Sequence, residues 1–267
     1  MDNLLEINNL SYSYKDKSIF NSLQFSIKSG TTNLILGCNS SGKTTLIRLL
    51  SGILPSNNNI LVNNIILNKQ NLKEYLLKIG VVFFDDHNKF LFEKVIDELA
   101  FPLENLNYKK DSIINRIYEV RDILDLQNCL NKRISDLTNY EQVKVLIGVA
   151  IMHQPKIIFL DNILTKLTEH ETNKLFRLLD KLKKEITICI TSSDMQDVLH
   201  FDNVIALNNG SVLTEGEPST VLKQDNELSK AGLMIPPMID LSLKLEFYGL
   251  LDTIITDVDR MVETLWK

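Results

Sequence analysis

The chain has 267 residues, 44% of them hydrophobic, which suits one large domain, or a domain with an appendage, around a substantial core. A net charge of −5 removes the usual electrostatic basis for gripping a phosphate backbone, so no nucleic acid is expected as a partner. Three scattered cysteines, Cys38, Cys129 and Cys189, lack metal spacing and read as free thiols of a reducing cytoplasm, and the opening "MDNLLEINNLSYSY" has neither the basic segment nor the apolar core of an export signal.

In chain order, "NLLEINNL" and "LQFSIK" predict an antiparallel N-terminal portion, and "TNLILG" predicts a buried strand followed by a helix after Gly42. "ILVNNIIL" and "IGVVFF" continue the strands. From about 84 to 150 helix dominates, with segments around 110–133 and 141–153, which predicts a helical subdomain inserted between core strands. "KIIFLD", a helix over 168–184, "ITICIT" and "NVIALNNGSVL" complete an α/β fold with a mainly parallel core sheet. The most apolar stretch, 143–164, is broken by Lys144, His153, Gln154, Pro155 and Lys156, so nothing spans a bilayer unaided. After Gly216 the pattern changes: Pro236 and Pro237 separate the helical pieces of a small C-terminal extension, residues 218–267 against a main domain of 1–217.

The segment "GCNSSGKTT", residues 37–45, fits G-x-x-x-x-G-K-[ST] between a strand and a helix. Gly37 and Gly42 let the loop of Cys38, Asn39, Ser40 and Ser41 curl with its N–H groups inward. The helix N-terminus then adds positive potential for phosphate. Lys43 is expected on the β and γ phosphates of ATP, the Thr44 hydroxyl on Mg²⁺, and Thr45 completes the motif. Asp161, at the exit of the strand "KIIFLD", is the expected second holder of the metal; the alternative is an aspartate capping the next segment.

Over nearly its whole length the chain resembles the ATP-binding subunits of ABC transporters, and among them those of energy-coupling factor transporters. "LSYSYKDKSIFNSLQFSIKSG" resembles the family's N-terminal strands, which implies that Tyr14 stacks on adenine; on the residues alone Tyr12 and Tyr14 can equally be half-buried strand residues. "IGVVFFDDHNKFLFEKVIDELAFPLENL", residues 79–106, is similar to the family's Q-loop region, and "EGEPSTVLKQDNELSKAGLMIPPMIDLSLKL" to the subfamily's C-terminal extension. The resemblance assigns "LTNYE", Leu137, Thr138, Asn139, Tyr140 and Glu141, to the signature, with Tyr140 expected to crowd the backbone donors that meet phosphate.

Set on that family, the hydrolytic residues depart from the pattern. Phe84 stands at the glutamine position and ligates nothing, and Asn162 stands where the catalytic glutamate follows Asp161. Thr168 replaces the aspartate of the D-loop, and Ser193 the histidine that holds the γ-phosphate. A positioned general base is worth about 10² to 10⁴ in rate, so the chain's own site is expected near background while binding persists. The resemblance implies a peripheral subunit on the cytoplasmic face of the cell membrane, in a transporter for a vitamin or metal ion. Its implied partners are a second ABC ATPase subunit in a heterodimer, a transmembrane coupling subunit and a substrate-binding membrane component. The alternative is a non-hydrolysing, nucleotide-dependent scaffold or regulator in the ATPase position. The extension is expected to join subunits; the alternative is a helix pair folded on its own domain.

Overall fold

The structure, a computed structural model, describes residues 3–15, 17–84 and 89–266. Strands β1 (Asn3–Tyr14) and β2 (Lys17–Lys28) pair antiparallel, and their alternation puts Leu5, Ile7, Phe20, Leu23, Phe25 and Ile27 inside. Every residue of β3 (Thr32–Leu36) is buried, the pattern of a strand covered on both faces. Helix α1 (Lys43–Leu50) follows it, then β4 (Ile60–Val62), β5 (Ile65–Ile66), α2 (Leu72–Leu76) and β6 (Ile79–Phe83). The inserted subdomain carries α3 (Val95–Asn105), α4 (Lys110–Ile123) and α5 (Asn139–Ile151). The chain returns through β7 (Ile157–Asp161), α6 (Glu169–Leu182), β8 (Thr187–Ser192), β9 (Asn203–Asn208) and β10 (Ser211–Gly216), and ends in α7 (Pro218–Leu222), α8 (Asp225–Lys230), α9 (Pro237–Phe247) and α10 (Val258–Leu265).

Two sheets result. One is antiparallel, in the order β2-β1-β4-β5; the other runs β10-β9-β3-β8-β7-β6 and is parallel except for β10. The chain therefore leaves β3, β6, β7 and β8 at one edge of the larger sheet, where ligands of open α/β sheets sit. Gly37, Phe84, Asn162 and Ser193 are the residues that follow those four strands.

Two boundaries differ from the sequence expectation for local reasons. The helix expected over 110–133 stops at Ile123, because Asp125 takes a left-handed backbone (φ 50°) and turns Leu126, Cys129 and Leu130 back into the core. The helix expected from 141 starts at Asn139, because Thr138 caps it. The extension divides by packing: Val221, Leu222, Leu228, Leu233 and Ile239 belong to the main core. Leu251, Ile255 and Met261 make a small cluster of their own with Met238 and Leu245, closed by the Ile255 N–H donating to Ser242 Oγ at 2.7 Å.

Candidate functional site

The loop between β3 and α1 is shaped by its glycines. Gly42 sits at φ 103°, and a Cβ there would lie 2.9 Å from the Phe20 ring; a Cβ on Gly37 would collide with Ser41 Oγ and crowd the Leu207 carbonyl. Cys38 O accepts from Ser41 N–H at 3.1 Å, making the turn. Ser40, exposed, holds the left-handed backbone (φ 66°) without being glycine, a strained conformation retained at the crest of the loop. Asn39 is exposed beside it, while Thr44 and Thr45 are half-buried in the first turn of α1.

Lys43 is buried and donates to Gly37 O at 2.7 Å and Cys38 O at 3.0 Å. Burial pulls its ammonium below the ordinary value, opposed by the carboxylate of Asp161. Ser41 Oγ is buried with no hydrogen-bond partner among the described residues. A loop whose path is set by two glycines packed too closely for side chains, an orphaned hydroxyl and a buried ammonium together suit a phosphate chain. Asp161 is buried at the end of β7, its Oδ1 accepting from Thr191 Oγ1 at 2.7 Å. Among the described residues no three His, Cys, Asp or Glu side chains converge on a metal-sized space. Mg²⁺ takes one or two protein oxygens and fills its shell with phosphate and water. Thr44 and Asp161 are the protein's candidates.

Phe84, Asn162 and Thr168 have structural duties in the fold. Phe84 is buried at 1% exposure and its N–H donates to Asp161 O at 3.2 Å. Asn162 is left-handed (φ 56°), a backbone asparagine tolerates better than most residues, and its N–H donates to Thr191 Oγ1. Thr168 is the N-cap of α6, in a capping box with Glu171. Ser193 is exposed, whereas its neighbour Ser192 is buried and donates to Asp197 Oδ2 at 2.6 Å. Burial pushes the Asp197 carboxyl up to about 6, against the pull of that bond. Asp197 was not among the sequence candidates; only the neighbouring "ITSSDMQD" could have pointed to it.

The segment "LTNYE" serves the fold. Leu137 is buried, and Thr138 and Glu141 form a capping box at the start of α5. Glu141 Oε1 further meets Lys132 Nζ at 3.1 Å and Cys129 Sγ at 3.3 Å. The Thr138 N–H and these neighbours hold the carboxyl down to about 2. Tyr140 packs against the core with its ring 5.3 Å from Lys144 Nζ, one turn along α5. Asn139 Nδ2 reaches Lys166 O at 3.4 Å, tying the signature to the loop after Asp161. Tyr14 stands at the end of the β1–β2 hairpin, 39% exposed and edge-on to Tyr12; Phe20 and Ile19 of that hairpin are the residues beside Gly42.

Comparisons with known proteins agree with this geometry. The family described as ABC transporter matches residues 20–165. The energy-coupling factor transporter ATP-binding protein EcfA1 of Ligilactobacillus salivarius is 30% identical over 239 residues, 88% of this chain and 85% of that protein. EcfA1 of Lactobacillus acidophilus is 29% identical, covering 93% and 91%. Among solved structures, cbiO1 from Clostridium perfringens, part of the ABC transporter complex cbiONQ, superimposes with a TM-score of 0.78 at 27% identity, covering 87% of this chain and 96% of that one. An ATP-binding cassette in its ADP conformation shares the fold, with a TM-score of 0.75 at 23% identity over 86% and 98%. With the family model matched over more than half of the chain and relatives covered along most of their length, the chain belongs to the ABC transporter family as an ATP-binding subunit of the energy-coupling factor type.

Proposed function

We propose that the chain binds Mg²⁺–ATP without hydrolysing it efficiently at its own site, and that it works in a heterodimer with a second ATP-binding subunit that supplies the intact chemistry. The observation that carries this reading is the juxtaposition on one sheet edge of a complete phosphate cradle with Phe84, Asn162 and Ser193. Phosphate affinity comes from backbone N–H groups, Lys43 and the metal; water activation needs a base and groups that orient water. The complex would lie on the cytoplasmic face of the membrane with a transmembrane coupling subunit and a substrate-binding component, and serve uptake of a vitamin or metal ion. No helix among the described residues is long and apolar enough to cross a membrane, which suits a peripheral subunit. Phe247 and Trp266, 84% and 81% exposed on the extension, with Tyr248 and Leu250, offer apolar surface for subunit association.

A second reading, a non-hydrolysing scaffold, is favoured by the structural duties of Phe84 and Thr168. Calorimetric titration with ATP, and phosphate release by the chain alone and with its co-purified partner, test both. Saturable binding lost in Lys43→Ala, no turnover alone and turnover with the partner support the first reading. Silence of the complex supports the second, and vigorous turnover by the isolated chain overturns both.

A further inference from the structure

A recess of about 610 Å³ lies between α4 and α5 of the inserted subdomain and α6 of the main domain, within the size range of small-molecule sites. It shares no residue with the loop of 37–45, nor with Asp161, Asn162 or Ser193. Four cations line it: Lys144 of α5, and Lys174, Arg177 and Lys181 of α6. Those of α6 follow one another at three and four residues, so they share one face of the helix and repel along it. Among the described residues none of the four has a carboxylate oxygen within 4 Å. Asp122, Asp125 and Glu185 also line the recess, but Asp122 is already held by Arg121 at 2.8 and 3.0 Å. Two positive charges remain in excess there, on a chain whose net charge is −5. Lys144 is buried, and among the described residues its one hydrogen bond is donated to Asp125 O at 2.7 Å. Burial pulls its ammonium below the ordinary value, and Lys174 adds to this against Cys129, Asp125 and Glu141. A buried ammonium with N–H donors to spare and like charges around it is stabilised by a bound anion.

We propose that this recess is a second anion site, which takes the phosphate monoester group of an organic ligand. Such a group carries about −1.5 to −2 at neutral pH, which matches the excess of the walls. The Arg177 guanidinium is a planar fork that meets two phosphate oxygens at once, and the lysines beside it act as point charges. Tyr140, Leu178 and Leu182 line the same recess and give the organic body an apolar wall. Because the walls come from both the insertion and α6, an occupant joins the two and stabilises the folded chain by mass action. The site stands independently of the reading that residues 37–45 hold a nucleotide. A soluble metabolite and a lipid headgroup present the same chemistry.

The test uses the full chain, titrated calorimetrically with glycerol 3-phosphate, with glycerol and with succinate, and sedimented with phosphatidylcholine vesicles with and without phosphatidic acid. The expected result is saturable binding of the phosphate monoester, weakened about 10- to 100-fold in Arg177→Gln with Lys181→Gln. Both residues are exposed, so the double variant keeps the core intact. Lys230→Gln, at an exposed lysine of α8 outside the recess, stays within about twofold of the wild type. Lys144→Met keeps the buried stem, removes its charge and weakens binding as well; should it fail to fold, the double variant still decides. Binding of glycerol 3-phosphate assigns a soluble ligand. Capture by phosphatidic acid vesicles alone, lost in the same double variant, assigns a lipid headgroup. Binding of neither probe overturns the site, and so does a double variant that binds as the wild type does. Succinate bound as tightly as glycerol 3-phosphate overturns the choice of a phosphate monoester. Loss of binding in Lys43→Ala with the double variant unaffected would place the phosphate in the loop of 37–45 and overturn the second site.

Discussion

The loop after β3 and the residues after β6, β7 and β8 share one sheet edge, yet in the function proposed above the first keeps the family's pattern and the others do not. The cradle is made of backbone: its shape depends on Gly37 and Gly42, and any larger residue there meets Ser41 or Phe20. Water activation is made of side chains, and a side chain can be exchanged for one that serves stability. Phe84 fills core, Thr168 and Glu141 close capping boxes, and Asn162 accepts a left-handed backbone. On the proposed reading the binding function is built into the chain path, whereas the catalytic one depends on exchangeable side chains.

If that contrast holds, restoring catalytic residues should cost stability in proportion to the duty each replacement has assumed. The largest cost falls on Phe84→Gln, which empties a core site of 1% exposure and buries an amide. The expected destabilisation is about 3–5 kcal/mol, seen as a lowered denaturation midpoint, with no gain in phosphate release. A variant as stable as the wild type would show that Phe84 is not core in solution.

Next comes Asp197, buried under Ser192 beside the exposed Ser193. Its folded value of about 6 exceeds the ordinary 3.8, so the native state holds the proton more tightly than the unfolded chain does. This contribution to stability is complete below about pH 4 and is lost as pH rises through about 6, a change of up to about 3 kcal/mol. Glu141, held down to about 2, works in the opposite sense: its contribution is present above its ordinary 4.5 and is lost as pH falls toward 2. Urea midpoints measured from pH 4 to 8 should show Asp197→Asn gaining on the wild type up to about pH 6 and keeping that gain unchanged above it. Parallel curves throughout would mean that Asp197 titrates normally.

The contrast also marks what was legible in the sequence. The α/β class, the insertion and the strand of Asp161 follow from apolar runs and their spacing, and the nucleotide loop from a motif whose geometry is local. Residues whose meaning depends on distant partners were not legible. Nothing near Lys144 or Arg177 in the sequence says that both line one recess, and nothing in "LTNYE" says that Tyr140 turns along its helix toward Lys144. Asp197 needed the fold to bring burial and the Ser192 hydroxyl together.

A smaller effect is expected at Asn162, where the left-handed backbone (φ 56°) suits asparagine better than glutamate. Asn162→Glu should cost about 1 kcal/mol and leave phosphate release near background, because a base without Phe84 and Ser193 restored lacks the groups that act with it. A large rise in turnover from this single change would show that the base was the only loss. The cradle and the catalytic rim would then differ by one residue.

The smallest effect is expected at Thr168, and it separates capping from chemistry. Its hydroxyl accepts from the Glu171 N–H at the head of α6, and Glu171 returns the bond to the Thr168 N–H at 2.9 Å. Thr168→Ala should therefore cost about 1 kcal/mol, the usual worth of an N-cap. Thr168→Asp restores the family's carboxylate at a position where aspartate caps as well as threonine does, and the helix N-terminus favours its charge. Against this stands repulsion from the neighbouring Glu171 carboxylate, so the net change should stay within about 0.5 kcal/mol. Melting curves of the two variants, with phosphate release by the complex, decide the matter. Turnover should be the same for both, since the contrast assigns Thr168 to the helix and not to water. If Thr168→Asp alone speeds the complex while Thr168→Ala does not, the position acts on hydrolysis through its carboxylate, and its place among the structural replacements is lost.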